Sequence, residues 1–285
     1  MIFKVPGNPG IFLWSRLEGS FPNGPKKGLA LQKKAITIAP VFKKILYDSL
    51  IVLLMAGAWF YRFGLWGSHS RPALPEALAA LNDTQTVQVT TGKWDIFSPQ
   101  EADPAIGLIF YPGGRVDSRS YAPTLAAIAA EGYLVVNVPM PFDLAVYGWE
   151  QASDVIAEFP EIKTWVIGGH SMGGRMAARF TKQHPANISG LLLWGSYPSY
   201  DDDLSGANLA VLTIYGSLEG GVWRIKRGAG LLPEDAGWVE IEGGSHNQFG
   251  YYASEPGDRL AAISQAEQQA IILKATLSFL AGLGE

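Results

Sequence analysis

The chain of 285 residues contains no cysteine, which excludes disulfide bridges, thiolate catalysis and cysteine-ligated zinc. It is also short of charge. Asp, Glu, Lys and Arg make up 17% of it against 48% hydrophobic residues, a balance that favours a folded chain over a disordered one. The net charge of −4 is small, and no basic patch is interleaved with aromatics, so nucleic acid is not an expected partner. There is no cluster of metal ligands, no phosphate-cradling loop and no dinucleotide fingerprint, so no cofactor is expected. No internal repeat is present. What the chain has in plenty is apolar sequence: the mean hydropathy is +0.11, high for a purely soluble enzyme.

Part of that hydropathy sits near the N-terminus. Residues 1–44 are rich in Gly, Pro and Lys with weak periodicity, and read as a disordered basic arm. From Ser49 to Tyr61 no charged residue occurs, and with its flanks the apolar stretch runs from Ile45 to Trp66. The uncharged core is shorter than the roughly 18 apolar residues that define a spanning helix. The full stretch 45–66 reaches that length if Asp48 and Arg62 snorkel to the interfaces, and Trp59, Phe60, Tyr61, Phe63 and Trp66 gather at one end as an aromatic belt does. The expectation is a transmembrane signal-anchor helix. Lys26, Lys27, Lys33, Lys34, Lys43 and Lys44 precede it, which puts the N-terminus in the cytoplasm and everything after the helix on the extracytoplasmic side. Two other readings stay open: a helix packed on the following domain, and a signal peptide cleaved near Ala56-Gly57-Ala58.

Residues 67–84, with Pro72 and Pro75, read as a linker with one helical turn. A catalytic domain is expected over 85–285. Runs at Val87–Thr91 and Trp94–Phe97 suggest an opening antiparallel pair. Strands then alternate with helices: Ile106–Tyr111, a helix near Tyr121–Glu131, Tyr133–Val138, a helix near Gln151–Glu158, Thr164–Ile167 and a helix from Met172 to Lys182. Strands at Ile188–Trp194, Leu209–Tyr215 and Trp238–Ile241 and a closing helix at Gln265–Leu280 complete the series. Near-continuous apolar strands separated by helices imply an α/β fold, a mostly parallel sheet covered on both faces. Ligands in such sheets sit at the carboxyl ends of the strands.

One of those ends carries the strongest signal. Gly169, Ser171 and Gly173 form G-x-S-x-G directly after an apolar strand and before a helix-forming stretch, the context of a nucleophile elbow. The sharp turn strains the serine backbone and requires small neighbours two residues to either side. A serine hydroxyl needs a base, and four histidines are available. His69 lies in the linker. His170 sits inside the elbow, where its side chain is expected to point away from the hydroxyl. His184 precedes Pro185 at a helix end. His246, in Gly243-Gly244-Ser245-His246 just past the last strand, is the candidate base. An acid is expected between them in chain order: Glu219, after the strand Leu209–Tyr215, is preferred to the run Asp201-Asp202-Asp203, which reads as a solvated loop. Oxyanion donors are expected at the Met172 amide and in the glycine loop Tyr111-Pro112-Gly113-Gly114-Arg115, where Gly114 is the choice.

Taken together, Tyr111–Asp117, Val136–Pro141, the elbow and Ile241–Gly250 resemble the small α/β-hydrolase fold-5 family and its dienelactone-hydrolase-like relatives. The resemblance covers about residues 85–280. It implies a serine nucleophile, a histidine and an acid after the penultimate strand, where Glu219 stands in place of the family's Asp. The function so implied is a membrane-anchored serine hydrolase of carboxylic esters or lactones, acting on a small-molecule substrate through an acyl-enzyme. Two alternatives are an acyltransferase using the same three residues and a non-catalytic binding module on the same fold.

The stretch from Gly195 to Leu209 is too short for a folded cap, so an open site is expected. Its expected rim is apolar, made by Met140, Phe142, Trp194, Tyr197 and Phe249, and would favour short acyl chains. Arg115 is either an attractor for a carboxylate or simply solvated.

Overall fold

A computed structural model of the chain describes residues 38–67, 70–254 and 259–284. The basic arm expected over 1–44 lies outside these residues except for its last few, which are helical. Helix α1 runs Ile38–Gly67, beginning earlier than residue 45, with Pro40 in the first turn, where it costs no intrahelical donor. Among the described residues no helix is long and apolar enough to cross a membrane. The physical reason is that Asp48 and Arg62 bracket an uncharged run of only thirteen residues. Contacts divide the chain within α1, between Ala56 and Gly57, and the unit from Gly57 onward contains the sheet.

That sheet has eight strands: β1 (Val87–Thr90), β2 (Asp95–Pro99), β3 (Ile106–Tyr111), β4 (Leu134–Asn137), β5 (Thr164–His170), β6 (Gly190–Trp194), β7 (Ala210–Gly216) and β8 (Gly237–Ile241). They lie in the order β1-β2-β4-β3-β5-β6-β7-β8. β1–β2 and β2–β4 pair antiparallel, and all later pairs are parallel. The central strands β3 (IGLIFY) and β6 (GLLLW) are buried along their whole length, as strands covered on both faces must be. The edge strands β1 and β8 instead alternate buried or half-buried with exposed residues.

Alternation along the strands produces two cores. Ile109 and Tyr111 of β3, Trp165 and Ile167 of β5 and Leu191 and Leu193 of β6 face one layer. Helices α4 (Gln151–Glu158) and α5 (Met172–Gln183) close it with Ala152, Val155, Met176 and Phe180. Leu108, Phe110, Val166, Leu192 and Trp194 face the other, where α3 (Ala122–Ala130) and α7 (Gln265–Ala281) supply Leu125, Ile128, Ile272 and Leu280. α7 starts at a capping box between Ser264 and Glu267.

The segment expected to be a linker is bonded to the domain. It holds the short helix α2 (Pro75–Ala79). Ahead of α2, Arg71 N donates to Arg115 O at 2.8 Å, Asp117 N to Arg71 O at 3.0 Å and Leu74 N to Tyr251 O at 2.9 Å. Between β6 and β7 the backbone makes only a short 3₁₀ turn, Tyr200–Asp202, so no folded cap interrupts the sheet there.

Candidate active site

β5 ends at His170 and α5 begins at Met172, leaving Ser171 alone to turn the chain. Its φ of 53° and ψ of −115° lie outside the regions an L-residue prefers, a strain of about 1–3 kcal/mol that the surroundings must hold. Close approach explains the flanking glycines: a Cβ on Gly173 would stand 2.1 Å from Tyr111 O, and one on Gly169 would stand 2.5 Å from it. Ser171 N donates to Trp194 O at 2.9 Å and Ser196 Oγ to Ser171 O at 2.6 Å. Among the described residues the non-glycine positive-φ positions are Arg115, Phe142, Asp143 and Ser171, and three of them build this rim of the sheet around the glycine loop. Arg115 N, for instance, donates to Asp143 O at 2.7 Å.

An account of the amides in that loop singles out one donor. Gly113 N donates to Tyr121 Oη at 3.0 Å and Arg115 N is taken by Asp143. Among the described residues Gly114 N has no partner within the chain. Met172 is the first residue of α5, where the amide has no intrahelical acceptor. Gly114 and Met172 also touch, since a Cβ on Gly114 would meet the Met172 side chain at 3.0 Å. Two unspent N–H groups thus flank Ser171.

On the other side, the loops after β7 and β8 bring Glu219 and His246 together. Glu219 Oε2 lies 3.0 Å from His246 Nδ1, and its Oε1 accepts from Gly216 N at 2.9 Å. The Glu219 side chain is 2% exposed and that of His246 38%. Gly195, at φ +51°, passes so close that a Cβ there would meet both the carboxylate and the ring at 3.0 Å. With Nδ1 engaged by the carboxylate, Nε2 is the nitrogen left for a substrate or a serine. Gly114, Ser171, Met172, Glu219 and His246 all line one cavity of about 1160 Å³.

The acidic run lies elsewhere. Asp202 is buried against Arg179 at 3.4 Å and Asp203 accepts from Ser205 N at 2.9 Å; neither they nor Asp201 line the cavity. His184 pairs with Glu150 at 3.2 Å. His69 lies outside the described residues.

His170 is the residue whose place was least legible. Its ring is buried yet lines the same cavity as Ser171, and it lies against His246, with centroids 4.4 Å apart, and stacks on Phe249. Tyr121 Oη is 2.8 Å from His170 Nδ1. The Tyr121 oxygen thus bridges the Gly113 amide and the His170 ring. Burial, and then the proximity of His246, hold the His170 pKa well below the ordinary imidazole range. The Tyr121 hydroxyl therefore ties the glycine loop to a neutral ring packed against His246.

The histidine loop is held from below as well. Ser245 N donates to Gln268 Oε1 at 2.9 Å, and Gln268 Nε2 returns a bond to Ser245 O at 2.8 Å. Gln265 Nε2 reaches Gln248 O and Gly250 O, each at 3.2 Å, and Gln269 Nε2 reaches Gln248 O as well. Only the helix-forming run of α7 is visible in sequence, not these long-range bonds.

The rim differs from the apolar one expected. Of the five residues named for it, Tyr197 lines the cavity. Trp194 and Phe249 are fully buried, Trp194 against Phe110 at 4.7 Å. Met140 belongs to the core, and Phe142 is 79% exposed, outside the cavity. Strand ends fix where a backbone emerges but not which way a large ring turns, and here burial claimed the rings.

A doubly covered parallel sheet with a serine elbow after its central strand, an imidazole–carboxylate pair after its last two and a glycine loop beside them defines an α/β-hydrolase architecture. The family model described as the alpha/beta hydrolase family matches residues 107–270, more than half the chain, and the protein belongs to that family. A curated relative, the 2-succinyl-6-hydroxy-2,4-cyclohexadiene-1-carboxylate synthase of Enterobacter sp. (strain 638), is 31% identical over 103 residues, 34% of this chain and 40% of the relative. The match thus spans well under half of that relative's length. Among solved structures, carboxylesterase CesB of Bacillus subtilis aligns with a TM-score of 0.52 at 14% identity, covering 73% of this chain and 95% of its own. The esterase domain of a Rhodothermus marinus protein aligns at 0.52 with 11% identity, covering 68% and 97%. At such identities these likenesses concern the fold.

Proposed function

We propose that the protein is a serine hydrolase of carboxylic esters or lactones, with Ser171 as nucleophile, His246 as base and Glu219 as the acid that orients it. The observation that carries this reading is the Glu219–His246 pair sharing a cavity with a strained serine and two unspent amides. In the reaction, Ser171 Oγ attacks the carbonyl carbon and gives its proton to His246 Nε2. The Gly114 and Met172 amides receive the oxyanion, each such donor being worth about 10²–10³ in rate. His246 then passes the proton to the leaving alcohol, freeing the acyl-enzyme, and activates the water that hydrolyses it. Support in kind comes from the esterases among the structural neighbours. A non-catalytic module would have no use for a strained serine facing prepaid donors.

The decisive experiment is labelling of the full chain by a fluorophosphonate, with Ser171→Ala as control. Labelling lost in the variant supports the reading, whereas labelling at another residue, or none, refutes it. The open connection between β6 and β7 favours short or compact acyl groups. Comparing kcat/KM across p-nitrophenyl esters of two to about sixteen carbons checks this, a maximum at the long end counting against it.

We also propose that the segment 45–66 attaches the enzyme to a membrane. Ile45, Leu46, Leu50, Ile51, Leu53 and Leu54 are all more than half exposed, an apolar surface that a lipid phase would cover. Retention of the chain in membranes through carbonate extraction would indicate a spanning anchor, and protection of the domain from protease added on the cytoplasmic side would put it on the extracytoplasmic side. Release would indicate a helix lying in the interface, and absence from membranes altogether would dismiss both.

A further inference from the structure

The cavity around Ser171 is strongly cationic in a protein of net charge −4. Arg71, Arg115, Arg175, Arg224 and Arg259 all line it, and among the described residues its one acidic lining residue is Glu219. That carboxylate is buried and committed to His246. The arginines do not come from one basic run. They converge from the segment before α2, the loop after β3, the first turn of α5, helix α6 (Val222–Gly228) and the stretch ahead of α7.

Cations on a surface usually find carboxylates nearby, and others on the same two helices do. Arg179 of α5 pairs with Asp202 at 3.4 Å, and Lys226 of α6 with Glu240 at 3.3 Å. Among the described residues no carboxylate pairs with Arg175, Arg224 or Arg259. Arg175 is instead fixed by neutral groups: Nη2 donates to Ser199 Oγ at 2.8 Å and the guanidinium lies over the Tyr197 ring at 5.4 Å. Arg224 lies over the Trp223 ring at 5.1 Å. Aromatic faces and a hydroxyl orient a guanidinium without neutralising it, so the donors remain available to a ligand. Arg175 stands one helical turn from Ser171, its amide donating to Ser171 O at 3.2 Å, and both residues line the same cavity.

We infer that the mouth of the Ser171 cavity is an anion-binding site, and that the ester it takes carries one or more carboxylate or phosphate groups close to the bond that is cleaved. This rests on the hydrolase reading above for the word ester, but not for the anion site. Guanidinium forks match both oxyanions in two-pronged geometry, and a positive cleft raises the local concentration of an anionic substrate by about 10–10³-fold at low salt.

Binding and turnover test it separately. Calorimetry on the full chain uses isophthalate, phenylphosphonate and the neutral isophthalamide as probes. At about 20 mM KCl at least one anion should bind roughly tenfold or more tightly than the amide, and the advantage should shrink severalfold at about 300 mM. The pair Arg175→Gln with Arg224→Gln should abolish the advantage, and Arg175→Lys should retain part of it. Lys226→Gln, which removes a charge already paired on the surface, should keep it. For turnover, kcat/KM for 4-acetoxybenzoate should exceed that for 4-acetoxybenzamide by about tenfold at low salt.

Binding of isophthalate or of phenylphosphonate alone supports the site and tells carboxylate from phosphate. Equal binding of anions and amide, or an advantage indifferent to Arg175 and Arg224, overturns it, even if neutral esters are hydrolysed. Anion binding with no hydrolysis and no labelling of Ser171 leaves the site standing and removes the ester reading instead.

Discussion

The two halves of the catalytic edge are built from different materials. On the β3–β5 side the proposed oxyanion donors beside Ser171 are main chain, the amides of Gly114 and Met172, placed by glycines that let β3 and α5 approach until no Cβ fits. On the β7–β8 side they are side chains, Glu219 and His246, on loops joined to each other by Leu218 N to Gly244 O and Gly243 N to Ser217 Oγ, each at 2.9 Å, besides the carboxylate–imidazole pair itself. A main-chain site is set by where atoms cannot go, so it leaves a fixed signature of glycines. A side-chain site is set by what reaches what, so it can be assembled from many sequences.

The sharpest blows to this comparison should come from the proposed triad. Ser171→Ala or His246→Ala should lower kcat by about 10⁵–10⁶ while the fold persists, because the three groups act as one device; unchanged esterase rates in either would undo the assignment. Glu219→Gln should cost about 10⁴, whereas Asn at all of Asp201, Asp202 and Asp203 should cost only what it takes from stability. A steady-state comparison in which the triple variant is the more damaged would move the acid to that run.

On the main-chain side the expected damage is to folding. Gly173→Ala places a methyl 2.1 Å from Tyr111 O and should lower stability by about 3 kcal/mol or more, at or beyond the usual cost of overpacking. Gly92→Ala, with nothing within 4 Å, should change it by less than about 0.5 kcal/mol. Urea melts of both, read against each other, decide whether the elbow is as tight as described.

The smallest effect concerns His170. Its depressed pKa means that, in acid, the unfolded chain takes up a proton the folded chain refuses. The stability it confers is complete above the unfolded imidazole value and declines as pH falls below about 6.5, by up to about 1.4 kcal/mol per pH unit. His170→Asn should flatten this limb of the stability profile between about pH 6.5 and 5, whatever it does to the absolute value. An unchanged slope would mean that the ring is charged in the fold.

The division between the halves also sorts what could be read from sequence. The succession of strands and helices, the elbow and the Gly114 loop follow from local pattern, since apolar runs, turn residues and chain order are one-dimensional quantities, whereas the order of the strands across the sheet does not. His246 and Glu219 followed from chain order, each being the residue of its type placed after the right strand. The arginine ring did not follow, since its members are scattered from residue 71 to 259 and only the fold brings them together. α6 escaped because it has only seven residues, from Val222 to Gly228, too few for a period to show. Trp194 and Phe249 were assigned to the rim because their backbone positions are right, and burial turned their rings inward. His170 was set aside as a neighbour in sequence, although its ring lies against the proposed base.

The glutamine bonds beneath the histidine loop have a consequence of their own. Gln265, Gln268 and Gln269 hold main-chain atoms on either side of His246 with amides, which carry no charge at any pH a protein survives. Ionic strength that weakens the pull of the arginines leaves these bonds alone, so salt should tune substrate capture without loosening the catalytic ring. The vulnerability is mechanical instead. Because all five bonds run to one helix, undocking of α7 would remove them together, and thermal inactivation should track that helix rather than the melting of the sheet.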